Sequence, residues 1–213
     1  MIKQQLAKEI TDMINTKFAL LESQGVDGVL TDDAIIFGGV MREGISEGHL
    51  DYTEDLDIIV SESSVEQLMK NLAIHSYSRN KSLEKMVKRQ EGIADEQKAY
   101  NPYACDAFDL YIMTRNKSRI DLVIPNKDRF ELPKHFSGFM NQFAMNLYYL
   151  SNVDMSCSMV GYNKHMGLVM RDEKVIDLMK RKVYSLNKDS ILYKKERTDE
   201  RMAKLAKRGW MSL

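Results

Sequence analysis

The 213-residue chain reads as an α+β protein: a mixed sheet flanked by helices, followed by a small helical C-terminal extension. Three observations predict this. An amphipathic helical pattern opens the chain. Short apolar runs of strand character, two of them carrying aspartate, follow within the first 125 residues. Beyond Pro125 the apolar spacing turns mainly helical. The expected division is a head over residues 1–130 and an extension over 131–213.

Leu6, Ile10, Met13, Ile14, Phe18 and Leu21 recur at helical spacing, which predicts an opening helix with one face on the core. "GVDGVLTDD" (25–33) breaks it. "AIIFGG" (34–39) is then a short buried strand ending in a glycine turn, and "VMREGI" (40–45) begins a helix behind that turn. "DLDIIV" (55–60) alternates, with Leu56, Ile58 and Val60 on one face and Asp55 and Asp57 on the other. "SSVEQLMKNLAIH" (63–75) is a helix with Ser63 or Ser64 as its cap and Val65, Leu68, Met69 and Leu72 inward. Residues 76–104 are polar and carry no clear period. "AFDLYIMTRNKSRIDLVIPN" (107–126) predicts a hairpin: strand 108–114, a turn at Arg115–Ser118, strand 119–124. Residues 136–150, 175–186 and 195–210 read as helices.

Hydrophobic content of 44% and charge of 29% describe an ordinary soluble protein. No run approaches the ~18 apolar residues of a membrane span, and the opening segment lacks the apolar core of a signal peptide. Cys105 and Cys157 match no ligand spacing and fit reduced thiols in a cytoplasm. The histidines at 49, 75, 135 and 165 add no zinc pattern. Tyr148, Tyr149 and Tyr162 read as core residues or as stacking surfaces for a base. The fifteen methionines read as adaptable core filling, as at Met166 and Met170. Thirty-one basic residues balance thirty-one acidic ones, yet Lys180 to Arg208 holds eleven Lys/Arg against four Asp/Glu. Such a segment either holds a polyanion or forms a solvated helix face.

The chemistry concentrates in three places. Asp55 and Asp57 share one face of a strand, close enough to hold a divalent ion jointly. Mg²⁺ takes oxygen ligands and commonly combines one or two carboxylates with substrate phosphates. Asp121, in "RIDLVI" (119–124), faces away from Ile120, Leu122 and Ile124 and supplies the third carboxylate of a two-metal site. An acid inside an apolar strand is costly unless it is paired, hydrogen-bonded or metal-bound. Gly38 and Gly39 let backbone N–H groups approach a phosphate at a helix N-terminus, and Arg42 lies on that helix's first turn. The set predicts a site for a nucleoside triphosphate with magnesium, where an incoming hydroxyl attacks the α-phosphate and pyrophosphate leaves.

"GGVMRE…DLDI…IDLV" resembles the head of the DNA polymerase β-like nucleotidyltransferase superfamily. The double glycine followed by arginine is closest to tRNA CCA-adding enzymes and bacterial poly(A) polymerases. In antibiotic-modifying and antitoxin-type members the corresponding turn is usually Gly-Ser. The resemblance implies that Gly38 and Gly39 bind the triphosphate, that Arg42 assists, and that Asp55, Asp57 and Asp121 are catalytic and hold two Mg²⁺. In "NVDMSCSMVGYN" (152–163) it retains Asp154, with Ser156 for a threonine, from a motif that orients ribose and triphosphate. Asp177 and Leu178 stand where the family has its Asp-Leu segment. "ERTDERMAKLAKRGW" resembles the family's closing arginine-rich helix, which implies nucleotide contacts from Arg197 and Arg201 and base reading with Asp199.

The implied reaction moves a nucleoside monophosphate from an NTP, ATP or CTP, to an RNA 3′ hydroxyl such as that of tRNA, with the basic segment 180–208 along the RNA backbone. Two alternatives stand beside it: AMP-type transfer to a protein or small molecule, and an inactive head that binds RNA. No membrane contact is expected, and an oligomer is compatible with the sequence.

Overall fold

The computed structural model describes residues 2–21, 24–53, 55–92, 108–126, 142–190, 192–193 and 195–213. Seven strands make the main sheet: β1 (Ile35–Phe37), β2 (Asp55–Ile59), β3 (Ser78–Arg79), β4 (Phe108–Arg115), β5 (Ser118–Pro125), β6 (Val160–Asn163) and β7 (Gly167–Met170). Their order is β3-β4-β5-β2-β1-β6-β7. Among the described residues of this sheet, only β2 and β5 run parallel; the other neighbours are antiparallel. The α+β class and the hairpin over 108–125 therefore stand.

The period-2 alternation sorts side chains as the sequence predicts. Leu56, Ile58, Ile120, Leu122 and Ile124 join one apolar cluster with α1 (Ile2–Lys17), α3 (Gly39–Ser46) and α4 (Val65–Ile74). On the opposite face Ile35, Ile59, Ile112 and Val123 pack with Tyr149 and Leu150 of α6 (Gln142–Ser151). The aspartates of β2 and β5 belong to this second face, so α6 covers the apolar end of the surface that carries them.

Several local expectations are corrected. The break after α1 contains a short helix, α2 (Val26–Val29), whose Val26 and Val29 are buried. Leu21 lies past the end of α1 and is 71% exposed. Ser64 is the N-cap of α4 but makes no side-chain capping bond. The unreadable stretch after residue 76 holds β3 and α5 (Lys81–Gly92). Cys105, His135, Met140 and residues 136–141 of the helix expected over 136–150 lie outside the described residues.

The extension is not all helical. Its β6–β7 hairpin completes the head's sheet, with Ile36 of β1 paired to Tyr162. Met166 sits at the hairpin turn and is exposed, rather than on a helix. Tyr149 and Tyr162 are core residues, and the Tyr162 hydroxyl donates to Asp27 Oδ1 at 2.7 Å. After the hairpin come α7 (Lys174–Lys180), β8 (Val183–Tyr184), α8 (Lys195–Ala206) and β9 (Met211–Ser212), with β8 and β9 paired in parallel. Among the described residues, no helix is long and apolar enough to cross a membrane.

Candidate active site

Parallel pairing of β2 with β5 sets Asp57 beside Asp121 and Asp55 beside Arg119. Because one pleat face carries every second residue, the three carboxylates project together, and one ligand oxygen from each lies within 4.8 Å of the others. Asp121 is fully buried at 0% exposure. Arg119 Nε donates to its Oδ1 at 2.6 Å and Arg119 Nη2 to its Oδ2 at 2.5 Å.

Asp57 registers how closely the three acids are set. Its pKa is pushed well above the ordinary carboxylate range, first by burial and then by the charges of Asp55 and Asp121, against the pull of Arg119 and Arg201. A carboxylate has about four lone-pair positions, so Asp121 can accept from Arg119 and still present an oxygen to an ion. Three converging carboxylates with one raised pKa fit a hard divalent cation.

The glycine turn meets this cluster because β1 runs antiparallel to β2 and its last residue, Phe37, pairs with Asp57. Gly38 then turns the chain at φ 73°, a left-handed conformation that favours glycine. A Cβ on Gly38 would run into Asp57 Oδ2. The first helical bond of α3 joins Arg42 N–H to Gly38 C=O at 3.1 Å, which leaves the amides of Gly39, Val40 and Met41 without an intrahelical acceptor. Arg42 is half-buried, and its buried Nε has no partner among the described residues. Burial is the main cause lowering its pKa. Arg201 and Arg208 push the same way, and Cys157 and Glu43 oppose them.

A second arginine reaches the same region from α8. Arg201 Nη1 donates to Asp154 Oδ1 at 2.5 Å and its Nη2 to Ser158 Oγ at 3.2 Å. Thr198 Oγ1 donates to Asp154 Oδ2 at 3.2 Å, so both oxygens of this 1%-exposed carboxylate are engaged by α8. Asp154 thus orients Arg201. Arg197 is half-buried, with its Nε buried and unpartnered among the described residues. Asp199 pairs with Lys195 on the exposed side of α8, not with either arginine. Asp177 is exposed on α7.

The basic C-terminal segment is partly consumed by internal pairs. Arg208 bonds buried Glu43 of α3 at 3.0 Å and lies over the Tyr52 ring at 5.1 Å, and Lys182 bonds Glu47 at 2.7 Å. With Arg201 on Asp154, these ties hold α8 and β8 against α3 and the loop after α6. His49 is exposed and faces Asp51 at 3.4 Å.

The sequence singled out the glycines, Arg42 and the three aspartates, which the structure brings to one region, but not Arg119, which grips Asp121, nor Thr53, whose buried Oγ1 lies 3.2 Å from where a Cβ on Gly39 would sit. Arg119 had a signal: it stands two residues before Asp121 on one strand, hence on the same face. Thr53 had none, because its placement depends on how the loop before β2 folds. No protein-family model matches the chain, and no curated protein matches it.

Proposed function

We propose that this protein is a metal-dependent nucleotidyltransferase of the polymerase β-like kind, moving a nucleoside monophosphate from an NTP to an RNA 3′ hydroxyl. The supporting observation is the meeting of three carboxylates with the Gly38–Gly39 turn, whose closest approach is Gly38 to Asp57. An oxygen-rich cation site and an anion-binding helix start then share one space, as Mg-triphosphate requires.

Asp55, Asp57 and Asp121 would hold two Mg²⁺, which when bound lower the pKa of the attacking hydroxyl and neutralise phosphate charge. The amides of Gly39, Val40 and Met41 and the Arg42 guanidinium bind the triphosphate and fix its orientation. Arg119 holds Asp121 in place. Arg201, set by Asp154, adds positive charge toward the same space. In the transfer, the acceptor oxygen bonds to the α-phosphorus, the bond from that phosphorus to the bridging oxygen breaks, and pyrophosphate leaves. In this reading the hydroxyl proton passes to the carboxylate cluster.

A second reading, transfer to a protein or small molecule, is favoured by the internal pairing of Arg201, Arg208 and Lys182, which reduces the charge offered to an RNA backbone. Incorporation of each α-labelled NTP into bulk tRNA and other RNA with Mg²⁺, beside Asp55→Ala/Asp57→Ala, tests the first reading. Label in RNA that disappears in the double variant supports it. Tight Mg-NTP binding without labelled RNA moves the acceptor to the second reading, and neither binding nor label overturns both.

A further inference from the structure

We propose that Thr53 is a phosphate-binding residue, donating its hydroxyl to a terminal phosphoryl oxygen of the substrate and to the same group of released pyrophosphate. The inference rests on the nucleotidyl-transfer reading and assigns that site a donor from outside the glycine turn.

Thr53 is 4% exposed, and its Oγ1 is buried without a hydrogen-bond partner among the described residues. Buried hydroxyls are normally bonded, because a lone one has lost its water for nothing in return. Its surroundings indicate the partner it suits. The chain reaches Thr53 two residues before Asp55, and Oγ1 lies 3.2 Å from where a Cβ on Gly39 would sit. Arg42 Nη2 lies 3.7 Å from that same point. Glycine at 39 therefore keeps open a small cradle between a hydroxyl, a guanidinium and the first amides of α3.

The ligand chemistry follows from the lining. The guanidinium and amides can only donate, and a hydroxyl donates readily, so the cradle suits a group rich in acceptor oxygens and negative charge. Gly38, the preceding residue, abuts Asp57, so an anion here lies within one residue of the carboxylate cluster. An oligophosphate bridges these two places: inner oxygens toward the cation site, outer oxygens toward Thr53. A structural role fits less well, since Oγ1 makes no bond to any described residue.

The test is calorimetric titration of the full chain with pyrophosphate in the presence of Mg²⁺, for wild type, Thr53→Val and Thr53→Ser, with a melting curve for each. Thr53→Val keeps the shape and removes the hydroxyl. The expected result is roughly tenfold weaker pyrophosphate binding with an unchanged or raised melting temperature, and near-complete rescue by Thr53→Ser. Gly39→Ala, whose methyl fills the cradle, should weaken binding alongside it. Equal binding by wild type and Thr53→Val would overturn the role of Thr53 and leave the nucleotidyl-transfer reading intact. A Thr53→Val variant that melts well below wild type would make the hydroxyl structural. Wild type that binds neither pyrophosphate nor Mg-NTP would remove the underlying reading and this inference with it.

Discussion

Arg119 grips Asp121 at two points from two residues along the same strand, with bonds of 2.6 and 2.5 Å to its two carboxylate oxygens. The carboxylate is fully buried, while the guanidinium side chain is 28% exposed. The arginine thereby supplies a fixed positive charge next to a site that carries three acids.

Removing that charge should separate folding from metal affinity. Arg119→Met removes the two Arg119 bonds from buried Asp121, which costs about 2–3 kcal/mol, below the range for a fully buried pair because Arg119 reaches solvent. For a chain of this size the metal-free melting temperature falls by about 5–10 °C. Added Mn²⁺ should then raise the melting temperature more in the variant than in wild type, because the remaining acids have lost their internal cation. Melting curves with and without Mn²⁺ decide this; equal metal-induced shifts would separate Arg119 from the cation site.

Asp57 makes metal-free stability depend on pH. Its folded-state pKa is raised, by burial first and by Asp55 and Asp121 next. The folded chain keeps a proton that the unfolded chain releases above about pH 4. Stability without metal therefore falls as pH climbs from that unfolded value through the raised one. In chelator, wild type should melt higher at pH 5 than at pH 8. Asp57→Asn should flatten this slope and melt above wild type at pH 8. Mg²⁺ should recover wild type at pH 8 and leave Asp57→Asn unmoved. A wild-type melting temperature that rises with pH over this window would contradict the placement of Asp57.

Both alternating strands were legible because period 2 is a local signal: two aspartates opposite Leu56 and Ile58, and one opposite Ile120 and Leu122, can be read without knowing the partner strand. The Gly38–Gly39 turn was legible for the same reason. The β6–β7 hairpin was not. Its strands have four residues each, flank a polar turn, and join the sheet through the pairing of β6 with β1, far earlier in the chain. The Asp154–Arg201 pair was half legible. Each residue stood out by resemblance, but their union depends on α8 docking beside the loop after α6. Thr53 needed the folded loop, since nothing local marks a hydroxyl that ends up facing Gly39.

Gly38 offers a sharp steric test. Alanine there must adopt φ 73° and place its methyl against Asp57 Oδ2. That backbone, with ψ −135°, is one that L side chains rarely adopt and costs roughly 1–3 kcal/mol, and the methyl displaces a carboxylate from the cluster. Gly38→Ala should lower the melting temperature and also weaken Mn²⁺ binding. Gly39→Ala, with its nearest contact at 3.2 Å, should fold close to wild type. Equal metal affinity in Gly38→Ala and wild type, measured by titration, would show that Asp57 does not need this glycine.

The pairing of Asp154 with Arg201 predicts a non-additive double mutant. Asp154 is almost wholly buried and takes bonds from Arg201 and Thr198. Arg201→Met leaves this carboxylate with the Thr198 bond alone and should cost about 2–3 kcal/mol, since Arg201 also reaches solvent, whereas Asp154→Asn keeps an acceptor for Thr198 and should cost less. Joining the two changes removes both charges, so the double variant should be more stable than the sum of the single losses implies, by about 1–3 kcal/mol. Urea unfolding of the four proteins measures this coupling. If the arginine also orients substrate, the double variant should regain stability yet bind Mg-NTP as weakly as Arg201→Met, because restoring the fold does not restore the guanidinium. Recovery of both stability and nucleotide binding would confine Arg201 to holding α8 in place.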